Sequence, residues 1–138
     1  MNTTPEWITE LKDNEVFVFG SNQAGRHGAG AAKLAMKWGA EYGKGFGIAG
    51  KTFAIPTMNA RISRTLSIKN IGKYVEGFLN FATLYPKLTF LVTEIGCGLA
   101  GLTPKEVAPL FLPCLNMINV YLPKSFHRIL QHMNVRGI

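Results

Sequence analysis

Two glycine-rich stretches stand out for the chemistry they allow. The first, VFGSNQAGRHGAGAAK (Val18–Lys33), places Gly20, Gly25, Gly28 and Gly30 around Ser21, Asn22, Arg26 and His27. The second, IGCGLAGLTPKE (Ile95–Glu106), carries Gly96, Gly98 and Gly101 with Cys97, Leu99 and Ala100 between them. Glycine lets successive backbone N–H groups turn toward one anion and lets a ligand approach the main chain closely. The two stretches therefore read as a cradle for phosphate, with Thr57 as a third contributor at the end of TFAIPT. Two side chains near them titrate usefully. His27 has the ring of a general base or phosphate donor, and Glu94 ends the apolar run before the second loop as an acid, base or ribose acceptor. Cys97 precedes a helix start, where a thiolate would be favoured, but no histidine partner follows it, so it reads as a small loop residue. Arg26, Arg61 and Arg64 are of the type that pairs phosphate oxygens, and Phe46 of the type that stacks on a base.

Known phosphate motifs fit poorly. Gly20 and Gly25 have the spacing of a P-loop, yet Arg26-His27 stands where Lys and Ser/Thr are needed for phosphate and magnesium. Gly25-x-x-Gly28-x-Gly30 runs opposite to the dinucleotide fingerprint, and no acid closes the following strand TFAIP.

The elements that must hold these loops are legible from pattern. VFVFG (Val16–Gly20) and TFAIP (Thr52–Pro56) read as buried strands. KLTFLVTEIG (Lys87–Gly96) reads as the central strand, apolar on both faces, and INVYLP (Ile118–Pro123) as the last. Helices are expected from Thr4 with Pro5 in its first turn, and from Ala29 to Tyr42. A third runs from the Ser67 cap to Leu84, with Ile68, Ile71, Val75, Phe78, Leu79 and Ala82 at helical spacing. Thr103-Pro104-Lys105-Glu106 is a capping-box start for a helix to about Leu115, kinked at Pro109 and Pro113, and SFHRILQHM reads as a short terminal helix. The glycines at 43, 45, 47 and 50 and the stretch MNARISRTL read as loops. Alternating strands and helices predict an α/β fold with a mostly parallel or mixed sheet covered on both faces, in one domain over residues 1–138. Such a sheet gathers the two glycine loops along one edge, where ligands bind.

In this setting the chain resembles the macrodomain superfamily over roughly residues 15 to 122. The resemblance rests on Asn22 with His27-Gly28-Ala29-Gly30-Ala31-Ala32, and on Ile95-Gly96-Cys97-Gly98-Leu99. The latter is similar to the loop of the branch that holds the terminal ADP-ribose protein glycohydrolase. It implies a three-layer α/β/α fold and binding of ADP-ribose or a related NAD-derived nucleotide. The second loop would wrap the diphosphate, and Asn22 would sit near the distal ribose. Three positions depart from that family: Ala100 stands where the catalytic aspartate belongs, no lysine lies near Met58, and Gly20-Ser21-Asn22 replaces an adenine-binding aspartate. The resemblance thus implies binding, with turnover absent or, alternatively, hydrolysis of ADP-ribosyl or ADP-ribose 1″-phosphate linkages carried by His27 and Glu94.

Composition sets the outer limits. The 138 residues are 47% hydrophobic and 17% charged, with a formal net charge of +7. That favours anionic partners, but the basic residues form no run, so a nucleic acid ranks behind a nucleotide. No apolar stretch reaches the roughly 18 residues of a membrane span. The polar opening MNTTPEWITELKD is unlike a secretion signal, and two cysteines without metal-ligand spacing predict a reduced, cytoplasmic protein with no metal or cofactor. Nothing in the chain sets its oligomeric state.

Overall fold

A computed structural model describes residues 2–135. Five strands form one mixed sheet in the order β2-β3-β1-β4-β5. They are β1 (Glu15–Asn22), β2 (Gly47–Ala49), β3 (Thr52–Met58), β4 (Thr89–Val92) and β5 (Val120–Tyr121). β1 pairs in parallel with β3 and β4, β4 pairs in parallel with β5, and only β2 runs antiparallel, on β3. The helices are α1 (Gly30–Ala35), α2 (Ile68–Leu84), α3 (Pro104–Val107) and α4 (Lys124–Val135). The chain is an α/β protein, and among its described residues no helix is long and apolar enough to cross a membrane.

β1, not the Lys87–Gly96 stretch, is the central strand. Its alternation divides the core: Val16 and Val18 join one cluster with Ile71, Val75 and Phe78 of α2 and Phe126 and Leu130 of α4. Phe17 and Phe19 join another with Ala32 and Ala35 of α1. A strand buried on both sides explains the unbroken apolar run VFVF. β4 is shorter than its apolar run because the ladder ends at Val92. There Thr93 donates to Val18 O (3.1 Å) and Ile95 to Thr93 O (2.7 Å), turning the chain outward.

Ser67 caps α2 by accepting from the Asn70 N–H, and α2 buries Ile71, Val75, Phe78 and Ala82. The capping box at Thr103 and Glu106 forms with both of its bonds. The helix it opens turns into a 3-10 segment over Ala108–Asn116. Pro109 and Pro113 carry no N–H to continue the α ladder, so the expected kinks become a change of helix type. α1 stops well before Tyr42. A 3-10 turn (Met36–Trp38) ends at Gly39, whose φ of 103° only glycine adopts readily. The glycine loop after it contains β2, because Gly50 and Lys51 form a two-residue hairpin turn between Ala49 and Thr52. The terminal strand is shorter than INVYLP, and the terminal helix longer than SFHRILQHM.

No helix forms at Thr4. The backbone there pairs instead with the free edge of β5: Thr4 N–H donates to Leu122 O (2.9 Å) and Leu122 N–H to Asn2 O (3.1 Å). The Thr4 hydroxyl donates to Val92 O (2.7 Å), and His127 Nε2 donates to Asn2 O (2.8 Å). Long-range strand pairing has overridden a local helix start.

Phe78 is fully buried between Phe53 (ring centroids 5.1 Å apart), Phe90 (5.5 Å) and Phe111 (6.4 Å), linking α2 to β3, β4 and the 3-10 segment. Phe78→Ala is expected to cost about 3–5 kcal/mol in urea unfolding. A loss below about 1 kcal/mol would contradict this packing.

Candidate functional site

The C-terminal ends of β1, β3 and β4 open into one cleft of about 460 Å³. Its walls come from three segments far apart in sequence: Gly20–Asn22 with Arg26 and Gly28–Ala32, Thr57–Met58 with Ile62, and Thr93–Glu94 with Gly96–Ala100. The glycine loops meet at the floor, where a Cβ on Gly20 would lie 3.4 Å from the Gly96 nitrogen. Of the residues expected to bind ligand, Gly20, Ser21, Asn22, Gly28, Gly30, Thr57, Gly96, Cys97, Gly98, Leu99 and Ala100 line the cleft. Gly25 and Gly101 do not.

The loop amides suit an anion. The N–H groups of Gly98, Leu99 and Ala100 find no acceptor among the described residues. Nor do those of Ala31 and Ala32 in the first turn of α1, whose N-cap residue Ala29 supplies no side-chain cap. Water or a ligand must satisfy them.

Gly25 and His27 shape this loop from outside the cleft, and Ser21 and Asn22 both line the cleft and hold the loop. Gly25 has φ of 70°, and a Cβ there would sit 2.3 Å from the Lys44 nitrogen. A Cβ on Gly45 would sit 2.3 Å from Asn22 O. The two turns thus press backbone on backbone. Gly43 N–H donates to Gly25 O (2.8 Å), and the Ser21 hydroxyl donates to Gly45 O. Asn22 spends its amide on one neighbour, accepting from Arg26 N–H (2.9 Å) and donating to Arg26 O (2.9 Å). Its side chain is therefore committed within the loop, which the expected ribose contact did not allow for.

His27 lies outside the cleft. The ring is 4% exposed, edge-on to Phe19 at 5.2 Å and to Tyr42 at 6.5 Å. Its Nε2 donates to the Lys44 carbonyl (3.0 Å), which fixes the tautomer because a carbonyl only accepts, while Nδ1 is buried without a partner among the described residues. The expected catalytic ring is thus a brace between the two turns. Its aromatic neighbours give no sequence signal, since Phe19 and Tyr42 meet it only through the fold.

Glu94 does reach the cleft. It also lines an adjoining groove of about 820 Å³, bordered by Thr3–Ile8, Leu34, Pro123–Ser125 and Arg128. Ala31 and Thr93 also line both cavities, so the two lie side by side along this edge. Ser125 Oγ donates to Glu94 Oε2 at 2.6 Å. Trp7, 83% exposed, stands on the groove. Sequence patterning missed this groove because its walls assemble from the start and the end of the chain. Phe46 packs away from the cleft on Phe53 (5.5 Å) and Tyr74 (5.2 Å).

The third wall is a tight loop. Asn59 Oδ1 accepts from Ser63 N–H (2.9 Å) and Arg64 N–H (3.2 Å), and Ile62 is forced to φ of 56°. A β-branched residue in that region costs about 1–3 kcal/mol. Thr65 Oγ1 donates to Ala100 O (2.6 Å) and ties this loop to the second glycine loop. Arg61 and Arg64 are exposed on it, and Arg26 is exposed at the cleft.

The Cys97 thiol is pushed up to about 11 by burial, with the Glu94 and Glu106 carboxylates adding to the shift. It is thus a neutral thiol near pH 7, and the helix start does not activate it. Its alkylation by iodoacetamide, followed per site by mass spectrometry, should rise with pH toward an inflection near 11. An inflection below about 9, near that of a free cysteine, would show the opposite environment. Gly25→Ala should lose about 3 kcal/mol or more of stability in chemical denaturation, whereas Gly28→Ala, whose Cβ meets nothing within 4 Å, should lose less than about 1. Equal losses would remove the backbone-on-backbone account. No protein-family model matches this chain, and no curated protein matches it.

Proposed function

We propose that this protein is a macrodomain-like module that binds ADP-ribose or a related NAD-derived nucleotide and holds it without turnover. The observation that carries the reading is the convergence of two sequence-distant glycine loops, with uncommitted amides, on one cleft. Backbone N–H groups that have no acceptor suit a diphosphate, which brings acceptors and no donors. A volume of about 460 Å³ falls within the usual range for small-molecule sites. The adjoining groove leaves room for the rest of a nucleotide, with the exposed Trp7 ring and the Lys124 and Arg128 side chains along it.

Holding is favoured over hydrolysis by the chemistry of the lining. Its titratable groups are Arg26, Glu94 and Cys97. The thiol is neutral, and His27 stands outside the cleft, so no acid–base pair converges there among the described residues.

Isothermal titration with ADP-ribose should give a Kd of about 1–100 μM, with ADP weaker. Gly98→Glu sets a carboxylate at the cleft from a position whose Cβ meets nothing within 4 Å, and should weaken binding about tenfold or more. Absence of heat at millimolar ADP-ribose would refute the proposal. Tight, steeply salt-dependent binding of an oligonucleotide instead would shift the reading to nucleic acid.

A further inference from the structure

Among the described residues, one carboxylate stands at the boundary between the cleft and the groove: Glu94 lines both cavities, as do only the uncharged Ala31 and Thr93. Ser125 Oγ holds Oε2 at 2.6 Å, while Oε1 has no partner among the described residues. An acid placed beside an anion cradle is unfavourable for a ligand's phosphates and needs its own reason to be there. A carboxylate accepts and never donates, so the part of a ligand that Glu94 can bind is a hydrogen-bond donor. In a nucleotide whose diphosphate lies between the glycine loops, the group next along the chain is a ribose, and its donors are hydroxyls. Carboxylates that accept from a ribose diol also repel a phosphate ester at the same position.

We infer that Glu94, positioned by Ser125, is the specificity-determining residue at this junction: it accepts from the free vicinal hydroxyls of the ligand's ribose and excludes a ribose that carries a phosphate monoester. The inference rests on the nucleotide reading of the cleft. With the adenosine half of the nucleotide on the groove side, it narrows the ligand class to nucleotides of the NAD type and away from those of the NADP type, whose extra phosphate sits on the adenosine ribose. Lys124 and Arg128 on the groove and Arg26 on the cleft are the cations that oppose it, since each would attract the extra phosphate. Glu6, on the groove wall, acts in the same direction as Glu94.

The test is titration of the full chain with ADP-ribose and with 2′-phospho-ADP-ribose, in the wild type, Glu94→Gln and Ser125→Ala. The wild type should prefer ADP-ribose by about tenfold or more. Glu94→Gln should bring the ratio of the two affinities close to one, mostly by improving the phosphorylated ligand. Ser125→Ala should move the ratio part of the way, because the carboxylate stays but loses its orientation. Thermal unfolding of each variant near the wild-type Tm shows that a ratio, changed or unchanged, is read on the folded protein. Binding of ADP-ribose with an unchanged ratio in Glu94→Gln, or a wild type that prefers the phosphorylated ligand, would overturn this inference alone. Failure of the wild type to bind either ligand would overturn the nucleotide reading with it.

Discussion

The contact on which this structure depends is backbone against backbone: the turn at Gly43–Gly45 pressed on the loop after β1. Neither Gly25 nor Gly45 has room for a single methyl group there. This closeness brings the Lys44 carbonyl to His27, the Gly45 carbonyl to Ser21 and the Gly43 amide to Gly25. Ser21, Gly25, His27 and Gly45 are buried, so their polar groups would be costly if left without a partner. The result is a rigid outer support for a loop whose inner side forms the cleft. Residues that look reactive in sequence are used here to hold their neighbours in place.

The opposite wall is built on a different principle. The loop from Gly96 to Gly101 starts where β4 leaves the ladder and ends at the capping box of α3. It is braced from the side by Thr65 through Ala100. The loop carrying Thr65 tolerates a left-handed Ile62, which persists because Asn59 and its bonds to Ser63 and Arg64 leave the chain little alternative. The cleft therefore has one wall fixed by tight packing and one fixed by side-chain hydrogen bonds.

Much of this was legible from residue patterns, and the exceptions have identifiable causes. VFVF, TFAIP and the Ser67 helix follow from burial and capping alone, and the structure contains them. The gathering of both glycine loops on one sheet edge follows from the parallel order of their strands. What patterns could not supply was long-range choice. Thr4 and Pro5 make a good helix start, but the free edge of β5 offered better partners. LTFLV is as apolar as VFVF, yet only the pairing of strands decides which lies in the middle. His27 invites a chemical reading because its ring can act as a base or phosphate donor beside the glycine loops. Its contacts are with Phe19, Tyr42 and Lys44, none of which signals them in advance.

The pairing of the N-terminal segment with β5 has a temporal consequence. Asn2 Nδ2 donates to Ile118 O across 116 residues of chain, and His127 reaches back to Asn2 across 125. As the chain is synthesised, Asn2 and Thr4 have none of these partners until Leu122 and His127 have emerged. The cleft between the glycine loops draws on residues no later than Ala100, so its parts exist earlier. The adjoining groove, walled by Thr3–Ile8 and by Pro123–Ser125 with Arg128, is completed later than the cleft. The same contacts close loops of 116 and 125 residues, and the entropic cost of closing a loop grows with its length.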